Sequence, residues 1–140
     1  MQAREIMTTP VIAVTPSATL GEASRLMTQH GFTTLPVVDE GGRLLGVVSE
    51  EDLVREGFPD PERPDEADPD GGVLLSGHRT AGTVMRTPGM AAAADLEVTE
   101  LAHRMAAARL RSIPVVDSGV LVGIVTFQDV LRVVPAAGRP

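Results

Sequence analysis

At 140 residues, 43% hydrophobic and 2% aromatic, the chain suits one compact domain or two small units sharing a core, and that core must be aliphatic. A net charge of −7, twelve scattered Arg, no Lys and only Phe32, Phe58 and Phe127 as aromatics give neither the basic patch nor the stacking platforms of a nucleic-acid binder. The absence of cysteine excludes disulfides, thiolate metal sites and a Cys nucleophile, and without a signal-like or membrane-length apolar run a soluble, cytoplasmic protein with no membrane partner is expected.

In chain order, a Pro-bounded extended segment is predicted at Val11–Val14. A helix follows, with Thr19 and Glu22 at capping-box spacing, an apolar stripe of Leu20, Ala23 and Met27, and Gly31 as its stop. Two short strands, "LPVVD" and "LLGVV", come next, joined by an Asp-Glu-Gly-Gly turn. A second helix begins at Ser49, with Leu53 and Val54 expected against the sheet. Residues 57–79 carry four Pro, four Gly and six acids against two Arg, a composition that reads as a solvated acidic linker, with "VLLSG" as a possible docking stretch.

The same order then returns. "VMRTPGMAA" at 84–92 repeats "IMTTPVIAV" at 6–14, "IPVVD" at 113–117 repeats "LPVVD" at 35–39, and "LVGIVTFQDVLR" at 121–132 repeats "LLGVVSEEDLVR" at 44–55. The second copy predicts an extended segment at Gly89–Ala93 and a helix with the stripe Val98, Leu101, Met105 and Ala108, starting at Glu97 where the first copy has Thr19. An Asp-Ser-Gly hairpin and a final helix from Thr126 follow, with Val130, Leu131 and Val134 expected on the sheet side. The fold class is therefore α/β (α+β): two β-α-β-β-α repeats, 1–56 and 80–135, joined by the linker 57–79 and packed face to face, since one copy alone leaves an apolar sheet face exposed.

Two polar motifs stand out. The first is Val48-Ser49-x-x-Asp52, repeated as Val125-Thr126-x-x-Asp129. The hydroxyl sits at a helix start and the carboxylate one turn on, on the same side. A carboxylate can accept both hydroxyls of a ribose, and a Ser or Thr hydroxyl can bond a phosphate. The same spacing also makes a capping box with no ligand at all. The second motif is Gly31-Phe32-Thr33-Thr34-Leu35-Pro36, which becomes Arg109-Leu110-Arg111-Ser112-Ile113-Pro114 in the second copy, with Arg in place of both the Gly and the first Thr.

Taken together, these residues resemble the CBS (cystathionine β-synthase) domain family, and the chain is similar to a stand-alone tandem pair, a Bateman module. The resemblance implies a pseudo-twofold module whose inter-repeat clefts bind an adenosine nucleotide, AMP, ADP, ATP or S-adenosylmethionine, as a regulatory ligand with no other cofactor. It implies signalling to a regulated partner protein, and a homodimer. It also implies clefts that join the second motif of one repeat to the first motif of the other. One site then holds Ile12, Ala13, Thr33, Thr34, Pro36, Thr126 and Asp129, and the other Met90, Ala91, Arg111, Ser112, Pro114, Ser49 and Asp52. Ile12, Ala13, Met90 and Ala91 would lie against the base, near Phe127. In the second site Arg111 either clamps phosphates or fills the pocket and pairs with Asp52. The alternative function is a ligand-free dimerisation or protein-interaction module. No catalytic role is expected: His30, His78 and His103 lack metal-ligand spacing, and the chain carries no P-loop or G-x-S-x-G.

Overall fold

A glycine recurs in the second hairpin strand of both repeats, Gly46 and Gly123, and at each a Cβ would clash with a segment from elsewhere in the chain. The computed structural model describes residues 1–58, 79–87 and 90–134. Nearly all of the predicted linker, the predicted strand start at Gly89 and the end of the second repeat lie outside the described residues. The chain divides into two compact units, one of Met1–Val11 with Met90–Pro140, the other of Ile12–Gly89. Each repeat has thus given its leading segment to the other: 1–11 packs with the second repeat, and 79–87 with the first.

In the unit built on the first repeat, Val14 forms a parallel bridge to Val37, extending an antiparallel pair of β1 (Thr34–Val38) and β2 (Leu44–Ser49). Helix α2 (Leu20–His30) is capped by Thr19, whose hydroxyl accepts the Glu22 N–H at 3.0 Å, and it stops at Gly31 with φ 69°. The predicted stripe Leu20, Ala23 and Met27 is buried in a core with Leu35, Val37, Val48 and Leu53. Helix α3 (Glu50–Gly57) follows β2 directly. The borrowed segment contributes α4 (Ala81–Val84), a single turn absent from the sequence prediction, whose Ala81 enters the same core. It is pinned by Ala81 N–H to the Ala18 carbonyl and Gly82 N–H to the Pro16 carbonyl, at 2.8 and 2.9 Å. Its end runs along β2, with Val47 and Arg86 exchanging backbone hydrogen bonds of 2.9 and 3.2 Å.

The other unit repeats this plan. α1 (Ala3–Ile6) hangs from the Leu96 and Ala94 carbonyls, and Thr8 exchanges backbone bonds with Ile124. β3 (Ala92–Ala93) pairs parallel with β4 (Ser112–Asp117), which pairs antiparallel with β5 (Val120–Thr126). α5 (Val98–Ala108) buries Leu101 and Met105, and α6 (Phe127–Leu131) closes the order. Both hairpins turn on glycines at positive φ, Gly42 at 82° and Gly119 at 83°. Arg109 takes the left-handed position that Gly31 holds in the first repeat, at φ 57°.

Four predicted core positions are corrected. Ala108 is exposed, because α5 ends there and the stripe has left the core. Val54, Leu131 and Val134 are 59%, 60% and 56% exposed. Helix α3 presents Leu53 to its core and turns Val54 outward, and α6 ends at Leu131, before Val134. These side chains leave apolar surface rather than covering the sheets.

Candidate functional site

Both acids of the Ser/Thr-x-x-Asp motif are buried, Asp52 at 4% and Asp129 at 3% exposure, at the first turn of α3 and α6. Each closes a reciprocal cap. The Ser49 hydroxyl accepts the Asp52 N–H at 3.1 Å, and Asp52 Oδ2 accepts the Ser49 N–H at 3.1 Å. The Thr126 hydroxyl accepts the Asp129 N–H at 3.2 Å, and Asp129 Oδ2 accepts the Thr126 N–H at 2.9 Å and its hydroxyl at 3.1 Å. The capping role read from the spacing is therefore present in both copies.

The caps do not use up these carboxylates. An Arg one turn on reaches back to each: Arg55 Nη1 lies 3.4 Å from Asp52 Oδ1, and Arg132 Nη1 lies 2.6 Å from Asp129 Oδ1. The exchanged leading segments supply the last partner. Arg86 donates to Asp52 Oδ1 from Nη2 at 3.1 Å and from Nε at 3.3 Å. Thr8, the equivalent residue of the other segment, donates its hydroxyl to Asp129 Oδ1 and Oδ2 at 3.3 and 3.2 Å. Burial by itself would raise the Asp52 pKa, but the Ser49 N–H, the Arg86 guanidinium and the Ser49 hydroxyl together hold it below its ordinary value of 3.8. The same contact raises Arg86.

The loop of the second motif is fixed beside its own repeat's acid. Thr34 stands opposite Ser49 across β1 and β2, and the Glu50 N–H bonds the Thr33 carbonyl at 2.9 Å. Ser112 stands opposite Thr126 across β4 and β5, and the Phe127 N–H bonds the Arg111 carbonyl at 3.0 Å. The structure thus brings together Thr33, Thr34, Ser49, Asp52 and Arg86, and separately Arg111, Ser112, Thr126, Asp129 and Thr8. The grouping that the resemblance implied draws Thr33 and Thr34 from one unit and Thr126 and Asp129 from the other.

The remaining expected residues fall as follows. Pro36 and Pro114 are buried within β1 and β4, on the opposite strand face from the core residues Leu35 and Val37, and Ile113 and Val115. Ile12 packs on the first repeat's core, while Ala13 and Ala91 are half-buried, Met90 is exposed, and Phe127 is exposed beside Thr126. Arg111 is exposed, and Asp52 pairs with Arg86 and Arg55. His30 ends α2 and stacks on Phe32, with ring centroids 5.1 Å apart. Among the described residues no three His, Asp or Glu side chains gather as metal ligands, and no helix is long and apolar enough to cross a membrane.

Thr8, Arg86, Arg55 and Arg132 were missed from sequence. Two signals were available: each Asp is followed by Arg at i+3, and the aligned "MTTP" and "MRTP" differ at one position, 8 against 86.

The CBS domain pattern matches residues 3–58 and again 81–136. The chain belongs to the CBS domain family. Most of its length aligns with known proteins. Protein MK0525 of Methanopyrus kandleri is 32% identical over 132 residues, 94% of this chain and 61% of that protein, so the chain spans under two thirds of this relative. CBSX2, a CBS-pair protein of Arabidopsis thaliana, was solved in complex with AMP; it superposes with a TM-score of 0.76 at 27% identity, covering 94% of this chain and 93% of CBSX2. The CBS domain pair of protein MJ0100, in complex with 5′-methylthioadenosine and S-adenosylmethionine, gives a TM-score of 0.71 at 26% identity, with 94% of each chain covered.

Proposed function

We propose that this CBS pair is a ligand-sensing regulatory module that binds an adenosine-containing ligand, AMP, ADP, ATP or S-adenosylmethionine, and signals its presence to a partner protein. One observation carries the reading. Asp129 is a buried carboxylate whose two oxygens accept from a Thr hydroxyl supplied by a distant segment. A ribose diol offers that same donor chemistry, and the exposed Arg111, whose carbonyl accepts the Phe127 N–H beside Thr126, offers a cation for a phosphate. The adenosine complexes of CBSX2 and MJ0100 support the ligand class. The ligand is regulatory rather than a cofactor, the module is not itself an enzyme, and its setting is the cytoplasm. A homodimer is part of the proposal, supported by the apolar surface that Val130, Val133 and Val134 form with Val98, Ala102 and Ala106 of α5.

The test is thermal unfolding with each of the four ligands. Ligand at a hundred times Kd adds about 2.7 kcal/mol, a shift of several degrees for a chain of this size. Asp129→Asn keeps a cap acceptor and loses the charge, so it is expected to remove most of the shift measured against its own unliganded Tm.

A second reading is a ligand-free interaction module. The completeness of both caps without a ligand favours it. Unchanged melting with all four compounds would select it.

A further inference from the structure

Building on the adenosine reading, we propose that the residue two places before the proline of each leading segment is a gate: Arg86 keeps the Asp52 cluster occupied by the protein itself, whereas Thr8 leaves the Asp129 cluster open to ligand.

The two clusters share most of their parts. Each acid accepts a backbone N–H from its capping residue and a guanidinium from the Arg three residues on. These contributions come from each acid's own helix start and differ in strength: Arg132 lies 2.6 Å from Asp129 against 3.4 Å for Arg55 from Asp52, and the Thr126 hydroxyl also donates to Asp129. The difference in what the leading segments supply lies at positions 8 and 86. The Thr8 hydroxyl reaches Asp129 at 3.2 and 3.3 Å, at the long end for an O–H···O bond, and it is neutral. A ribose hydroxyl replaces it like for like. Arg86 instead lays two N–H groups on Asp52 Oδ1, at 3.1 and 3.3 Å, with a charge behind them. A neutral hydroxyl that displaced it would leave a buried carboxylate with one fewer cation, an exchange that disfavours the ligand.

Arg86 is 65% exposed along its side chain, and Thr8 is also exposed, so exchanging the two residue types leaves the cores untouched. The gate can therefore be swapped without dismantling the fold.

The experiment is calorimetric titration of AMP into the full chain as wild type, Arg86→Thr, Thr8→Arg, and Arg86→Thr with Asp52→Asn, repeated with ATP and S-adenosylmethionine. Wild type is expected to take one ligand per chain. Arg86→Thr is expected to take two, the second within about tenfold of the first in Kd, and adding Asp52→Asn returns it to one. Thr8→Arg is expected to weaken the wild-type site by at least about tenfold. Two ligands in wild type, one in Arg86→Thr, weaker binding in Arg86→Thr because Arg86 clamps phosphate, or unaffected binding in Thr8→Arg each overturns the gate. Absence of binding by all three ligands in every variant overturns the adenosine reading itself.

Discussion

The glycine shared by "LLGVV" and "LVGIV" is expected to respond differently to the same substitution in the two repeats. A Cβ on Gly46 would lie 2.7 Å from the Arg86 carbonyl oxygen, 2.9 Å from Met85 Sδ and 3.0 Å from its Cγ. The three atoms nearest a Cβ on Gly123 would all belong to the Met7 side chain, at 2.5 Å for Sδ, 2.8 Å for Cγ and 3.1 Å for Cβ. The thioether of Met7 can swing aside; the Arg86 carbonyl is held by the Val47 ladder and cannot. Overpacking costs about 1–3 kcal/mol, and displacing the carbonyl loosens two backbone hydrogen bonds worth about 1 kcal/mol each. Against this, Gly→Ala lowers the freedom of the unfolded chain by about 0.4–1 kcal/mol. Gly46→Ala should therefore lose about 2 kcal/mol, rising to about 4 if both bonds break, while Gly123→Ala stays within about 1 kcal/mol of wild type. Urea unfolding of the two variants measures the difference. Adding Met85→Ala should not rescue Gly46→Ala, because the nearest obstacle is backbone. Equal losses at the two glycines, or full rescue by Met85→Ala, would refute the exchange of leading segments as the reason for these glycines.

Two further outcomes are expected. The pKa of Asp52 is lower folded than unfolded, so its contribution to stability is fully present above about pH 4 and is lost as pH falls through the depressed value. The stability gap between wild type and Asp52→Asn should then be flat from pH 5 to pH 7, about the range where carboxylates stay ionised, and narrow in acid; a gap that widens in acid contradicts the assignment. Leu101 is fully buried in the core of the second unit, so Leu101→Ala should cost about 2–5 kcal/mol, whereas Leu131→Ala, on an exposed side chain, should cost under about 0.5 kcal/mol in the monomer; chemical denaturation of both decides this.

Much of each repeat was legible because its signals are local. The stripe Leu20, Ala23 and Met27 follows helical spacing, Gly31 supplies the left-handed stop, and the Asp-Ser-Gly turn fixes its hairpin. The caps at Ser49 and Thr126 were legible for the same reason, since a cap spans only three residues. What the sequence did not reveal was non-local. Thr8 meets an acid 121 residues away and Arg86 one 34 residues away, and nothing in either segment's own propensity names its partner. The information lies instead in Gly46 and Gly123, as space left for a segment from elsewhere in the chain. Val54 was misread because adjacent helix residues cannot both face the core and Leu53 takes that place, and Leu131 because an apolar residue at a short helix's end need not face its sheet.

The most direct test of the account is an amide NMR titration with AMP. Shifts are expected to concentrate at Thr8, Arg111, Ser112, Thr126 and Asp129, with Ser49 and Asp52 little changed. Shifts centred on Ser49, Asp52 and Arg86, or no shifts at saturating AMP, ATP or S-adenosylmethionine, would contradict it.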